Sequence, residues 1–173
     1  MKISLVGFMG TGKSTIGKLL AKKMGSFFLE TDKLIEEKEG RKIAQIFSRD
    51  GEEYFRDLES KILEEALSDS RQFVLSTGGG IVLSARNRKL LKEATFPILL
   101  EASPETIYRR TKEEGNRPLL DTAQPQKKIK QMLARRNDFY HQFSHRVDTD
   151  HKTPEEITVE ILEMVGGNPY GAH

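Results

Sequence analysis

The chain has 173 residues, a length that suits one domain with its own core, and no cysteine, which excludes disulfides and thiolate metal sites and suits a reducing cytoplasm. Its 28 basic and 26 acidic side chains leave a formal charge of +2, without the basic excess of a general nucleic-acid binder. No apolar run approaches the ~20 residues of a membrane span, and the one after Lys2 stops at Gly7, too soon for a secretory signal.

Ile3 to Val6 is a short apolar run of the kind that forms a buried strand. From Ser14 the pattern turns helical, with Ile16, Leu19, Leu20 and Met24 on one face before Gly25. Phe27 to Leu29 predicts a second strand, followed by helical segments over Asp32–Lys38 and Lys42–Phe47. A longer helix over Gly51–Leu67 carries Phe55, Leu58, Ile62, Leu63 and Ala66 on a stripe. Phe73 to Ser76 is a third strand running into Gly78, Gly79 and Gly80. A helix over Ala85–Lys92 and a strand over Pro97–Leu100 follow, and Ser103 caps a further helix with Pro104 at its first position. Glu113 to Gln124 lacks periodicity and reads as a loop. Pro125 to Tyr140 predicts a helix and Val147 to Thr149 a fifth strand. The last helix opens on a capping box, Thr153 to Glu156, with Pro154 inside it. Alternating strands and helices predict an α/β fold with a parallel sheet covered on both faces, and ligands gathered at the carboxyl ends of its strands. The segment 166–173 contains Gly and Pro without periodicity and predicts a flexible tail.

The segment from Gly7 to Ser14, GFMGTGKS, fits G-x-x-x-x-G-K-[ST] with a strand before it and a helix after it. Glycines let backbone N–H groups curl around phosphate oxygens, and the helix that follows presents its free N–H groups to the same anion. Lys13 is placed to reach the β- and γ-phosphates of a nucleotide, and the Ser14 hydroxyl to ligate Mg²⁺, which prefers oxygen. Neither Asn-Lys-x-Asp nor Asp-x-x-Gly occurs, which argues against a GTPase, and the chain is short for a motor or transport ATPase. Small-molecule and nucleotide kinases remain.

Within that group the sequence resembles the shikimate kinase family. The stretch GFMGTGKSTIG from Gly7 to Gly17 looks like that family's phosphate loop. Glu30-Thr31-Asp32, Phe55-Arg56 with Glu59, Gly78-Gly79-Gly80 and Arg117-Pro118-Leu119-Leu120 match it in order and spacing. Arg109, Arg110 and Arg136 also fall at family arginines, so the likeness runs from Met1 to about Val165. It implies a single kinase domain over 1–165, a three-layer sandwich with a five-stranded parallel sheet. A mobile lid is expected over about 112–124 and a substrate-binding helical region over about 32–60. The reaction implied is transfer of the γ-phosphoryl of ATP to the 3-hydroxyl of shikimate, by a monomer with Mg²⁺ as cofactor.

The resemblance also assigns roles. Gly10, Thr11, Gly12, Lys13, Ser14 and Thr15 would cradle the ATP phosphates. Arg56 and Arg136 would pair with the shikimate carboxylate, which suits the planar guanidinium fork. Asp32 would orient the attacking hydroxyl and take its proton, although it is equally a good N-cap for a helix from Lys33. Gly78, Gly79 and Gly80 would let backbone approach the ring, or would simply make a turn. Arg117 would reach the transferring phosphate as the lid closes. Arg110 would stack on adenine, with Pro154 on the other face or serving only as a helix starter. The family has Asp-x-Asp where this chain has Glu30-Thr31-Asp32, so Glu30 becomes an outer-shell partner of Mg²⁺ with altered reach. His141 and His145 are four apart on a helical pattern but lack a third ligand and read as a solvated face. A gluconate or nucleotide kinase, and a non-catalytic ATP-binding module, remain the competing readings.

Overall fold

The computed structural model describes residues 1–114, 120 and 122–166. The elements in chain order are β1 (Lys2–Val6), α1 (Lys13–Met24), β2 (Phe27–Glu30), α2 (Thr31–Glu39), α3 (Ile43–Ser68) and β3 (Phe73–Ser76). A 3-10 turn (Ile81–Leu83) leads to α4 (Ala85–Ala94), β4 (Phe96–Glu101), α5 (Pro104–Glu114), α6 (Pro125–Tyr140), β5 (His145–Asp148) and α7 (Pro154–Met164). The strands form one parallel sheet in the order β2-β3-β1-β4-β5.

Successive strand residues point to opposite faces, and both faces are apolar, as a doubly covered parallel sheet requires. Ile3, Leu5, Val74, Ile98 and Leu100 pack with Ile16 and Leu20 of α1 and Ile157 and Ile161 of α7. Val6, Phe73, Leu75 and Leu99 point the other way, onto Leu63 and Leu67 of α3, Leu91 of α4, Ile107 of α5 and Met132 of α6. A third, smaller core joins Ile35 of α2 to Ile46, Phe55, Leu58 and Ile62 of α3, away from the sheet.

Two expected helices, Lys42–Phe47 and Gly51–Leu67, prove to be one span, α3, broken at Gly51 (φ 84°, ψ 176°). The break turns the short N-terminal arm so that Phe47 meets Phe55, ring centroids 4.5 Å apart. The expected caps are in place. Ser103 Oγ accepts from Thr106 N at 3.2 Å, and Thr153 and Glu156 form the reciprocal box that opens α7. The fifth strand begins at His145, two residues before the expected start, because backbone pairing with Ile98 extends it through a polar stretch. His145 therefore leaves the helix that ends at Tyr140, so the two histidines do not share a helical face.

Strand register positions the site. Leu5 pairs with Ser76, and Glu30 pairs with the same Ser76, so β1, β2 and β3 end side by side. The loops carrying Gly7–Ser14, Thr31–Asp32 and Thr77–Gly80 consequently open at one edge, beside the place where the chain crosses from β3 over β1 to β4.

Candidate phosphate and acceptor site

Gly7, Gly10 and Gly12 take φ of 151°, 76° and 91°, which side chains rarely adopt, and together they fold the loop over the end of β1. A side-chain carbon on Gly7 would lie 2.4 Å from Leu100 O, so this position admits no larger residue without moving β4. The Thr11 hydroxyl closes the loop on Phe8 O at 2.8 Å, and Lys13 Nζ donates to Gly7 O and Phe8 O at 2.9 Å each. Gly12 holds the N-cap of α1 without a side-chain cap, and no acid stands in the first turn. The leading N–H groups of α1 thus face the loop and favour an anion.

Ser14 Oγ donates to Glu30 Oε1 and lies 3.5 Å from Ser76 Oγ, and Glu30 is also ion-paired to Lys33 at 3.2 Å. A hydroxyl and a carboxylate meeting at the end of β2 form a hard-oxygen pair that fits a divalent cation of the magnesium type. The loop, Glu30, Asp32, Ser76, Thr77, Gly78 and Gly79 line one cavity of about 140 Å³. A second cavity of about 220 Å³ is walled by Phe8, Leu99, Ile107, Leu133 and Ala134, and holds none of the expected site residues except Thr11.

Asp32 lies within the first turn of α2, which starts at Thr31, so Asp32 is not the N-cap that one reading allowed. Thr31 is fully buried and its Oγ1 accepts from Gly78 N at 2.9 Å, which ties the α2 terminus to the glycine turn. A side-chain carbon on Gly78 would stand 3.0 Å from Asp32 Oδ1 and 2.7 Å from Glu59 Oε1. On Gly80 it would stand 2.3 Å from Arg56 Nη2. Both glycines are therefore close-approach positions, one for two carboxylates and one for a guanidinium.

Arg56 donates to Glu59 Oε2 at 2.7 Å and lies 3.5 Å from Glu52. Glu59 is 1 % exposed, and its carboxyl is pushed up to about 7, first by burial and further by Asp32, against the pull of Arg56 and Arg136. Arg136 is 7 % exposed; its guanidinium lies 5.6 Å from the Phe8 ring centroid, with Nη1 3.4 Å from Gly79 O. Tyr140 donates to the same Gly79 O at 2.6 Å, and burial pushes its phenol up to about 12, so it stays a neutral donor. Residues from α2, α3 and α6 thus meet around the glycine turn beside the phosphate loop.

Arg110 donates to Gly10 O (3.2 Å), Thr149 Oγ1 (3.0 Å) and Thr149 O (2.9 Å), joining the phosphate loop to the start of the β5–α7 loop, whose far end is Pro154. Arg109 and Thr15 are exposed. Arg117, with the rest of 115–119 and residue 121 of the expected lid, lies outside the described residues, as do 167–173 of the expected tail. Sequence reasoning quoted Glu59 and Thr31 but gave neither a role, and it assigned none to Tyr140 or Thr149. Their parts depend on partners across the fold, and no local pattern marks them.

Comparisons with known proteins bear on family and fold. A family model described as shikimate kinase matches residues 9–166. The chain is 46% identical to the shikimate kinase of Sulfurihydrogenibium sp. over 94% of its own length and 96% of that protein's. It is 45% identical to that of Persephonella marina, with 94% and 98% covered. Among solved structures, the shikimate kinase of Acinetobacter baumannii in complex with shikimate superposes with a TM-score of 0.90 at 36% identity, covering 95% of this chain and 92% of that one. The Aquifex aeolicus shikimate kinase gives 0.81 at 32% identity, with 99% and 100% covered. Gluconate and nucleotide kinases, and a silent ATP-binding module, are not favoured by these matches. A family model over residues 9–166, and relatives this similar along nearly the whole length of the chain, place it plainly: it belongs to the shikimate kinase family.

Proposed function

We propose that the chain transfers the γ-phosphoryl group of ATP to the 3-hydroxyl of shikimate, giving shikimate 3-phosphate and ADP. The observation that carries this reading is the meeting of the phosphate loop with Asp32, Arg56, Gly78–Gly80 and Arg136 at the ends of β1, β2 and β3. Shikimate offers one carboxylate and three ring hydroxyls. Arg56 and Arg136 suit the carboxylate, and the backbone of Gly78, Gly79 and Gly80 suits the ring. The Acinetobacter baumannii relative, at a TM-score of 0.90, carries shikimate.

In this reading Gly10 to Thr15 bind the ATP phosphates through backbone N–H groups, and Lys13 turns from Gly7 O and Phe8 O toward the β- and γ-oxygens. Asp32 orients the acceptor hydroxyl and receives its proton as the new O–P bond forms and the bond to the ADP oxygen breaks. Arg110 presents its guanidinium to adenine, with Pro154 opposite. Arg117 would reach the transferring group as residues 112–124 close over it. Ser14 directly, and Glu30 through water, would hold Mg²⁺, which when bound neutralises charge on the β- and γ-phosphates. We extend the reading to a monomeric cytoplasmic enzyme; no helix among the described residues is long and apolar enough to cross a membrane. Light scattering should give the mass of a single chain.

The test is the product. Incubation with Mg-ATP and shikimate should give a phosphate ester whose phosphorus couples to the proton on C3 in a ¹H–³¹P correlation spectrum. An ester on another oxygen, or no ester, would overturn the reading.

A further inference from the structure

Glu59 sits on α3 one turn beyond Arg56, is 1 % exposed, and has no part in the transfer described above. Its two oxygens differ. Oε2 accepts from Arg56 at 2.7 Å, whereas Oε1 is buried without a hydrogen-bond partner among the described residues. Oε1 lies 2.7 Å from the point that a side-chain carbon on Gly78 would occupy, and Asp32 Oδ1 lies 3.0 Å from that same point. Two carboxylates thus approach each other across a glycine. The charged and titratable groups facing Glu59 are Asp32 from α2, Arg56 from its own helix with Glu52 beyond it, and Arg136 and Tyr140 from α6. Tyr140 is neutral, so two guanidinium cations balance the Asp32 and Glu59 carboxylates next to the cleft.

An acceptor carboxylate brings a third negative charge to this group and competes with Glu59 for Arg56. A buried ion that loses its partner is costly, and neutralisation is the cheapest response. Resting on the reading that Arg56 and Arg136 receive the acceptor's carboxylate, we propose that the anionic acceptor enters this site together with one proton, which Glu59 takes up. The proton comes from solvent and converts the Glu59 carboxylate to a neutral acid on Oε1, the oxygen that has no partner. Its new O–H then has Asp32 or an acceptor hydroxyl to donate to, and Arg56 is released from its ion pair to grip the acceptor. Glu59 is in this sense a positioning residue operated by a proton. The sign follows from linkage. A group that binds its proton more tightly in the complex makes affinity fall as pH rises above its free value, by at most about tenfold per pH unit.

Isothermal titration of shikimate into the full, nucleotide-free chain at pH 7.5 tests this, in one buffer of small and one of large ionisation enthalpy. The two observed enthalpies should differ by the uptake of about half a proton or more per shikimate bound, and affinity should fall between pH 7 and 9. In Glu59→Gln the buffer difference should vanish and affinity should become flat with pH. Equal enthalpies in both buffers for the unmodified chain would overturn the proposal, as would undiminished uptake in Glu59→Gln. Should that variant fail to fold, infrared difference spectra of the unmodified chain must gain a protonated carboxylic-acid band on shikimate binding, and its absence would overturn the proposal. Arg136→Ala separates the two layers. Unchanged shikimate affinity there removes the carboxylate reading and the proposal with it. Lost affinity, alongside buffer-independent binding by the unmodified chain, leaves that reading standing and removes only the proton.

Discussion

Lys13 bridges Gly7 O and Phe8 O within a loop shaped by three glycines at positive φ, so in the proposed reading its ammonium stands at the phosphate site before ATP arrives. Lys13→Met should lower kcat by about 10²-fold or more, the usual loss when one preorganised charge-stabilising group is removed, while the thermal midpoint changes little. Turnover near that of the unmodified chain would remove the phosphate-loop assignment. Arg136 is buried over Phe8 beside Gly79, and in the proposed reading its truncation leaves the acceptor carboxylate without a desolvated partner. Arg136→Ala should raise KM for shikimate by about 30-fold or more, equivalent to ~2 kcal/mol, and leave KM for ATP nearly unchanged. Equal loss of both would contradict its place in the acceptor cleft. Lys13 and Ser14 were legible in the sequence because their motif is local. Tyr140 and Thr149 were not, since Tyr140 meets Gly79 across 61 residues and Arg110 meets Thr149 across 39.

The elements were legible wherever burial imposes a period. β1, β3 and β4 are apolar on both faces, and α1 and the long part of α3 carry clear stripes. The edge strand β5 was read short, because His145 and Arg146 carry no apolar signal and only backbone pairing marks them as strand. The break in α3 was foreshadowed by Gly51. Its backbone lies where only glycine is comfortable, and nothing stands within 4 Å of where a side-chain carbon would be. Gly51→Ala should therefore destabilise by about 1–3 kcal/mol through backbone strain alone, measured by denaturant unfolding. No loss would mean that the kink is not held in solution. Glu59 tests the same helix through pH. Its carboxyl is raised from 4.5 to about 7 on folding, so the stability contributed by its protonated form is complete below about 4.5 and is lost as pH rises through about 7. The stability of Glu59→Gln relative to the unmodified chain should rise by about 2–3 kcal/mol between pH 5 and 8. A pH-independent difference would show that burial does not govern this carboxyl.

Sheet order and register decide what the molecule can do as a unit. Because β1 lies between β3 and β4, and β2 and β3 end level with it, one edge collects the glycine-rich loop, the Ser14–Glu30 pair and the glycine turn. The small α2–α3 core lies off the sheet and holds Arg56 and Glu59 over that edge as one piece. Alternating strands and helices made the parallel α/β layout and its five strands readable, and the family resemblance implied the same count. The coupling of Arg110 to both the phosphate loop and the β5–α7 loop was hidden, because it exists only once the sheet has formed. The most direct measurement is ADP release from Mg-ATP with shikimate, gluconate or a nucleoside monophosphate as sole acceptor. Release that depends on shikimate, with the other two at the background rate, is the result expected here. Release driven by gluconate or a nucleotide, or bound ATP that no acceptor turns over, would contradict it.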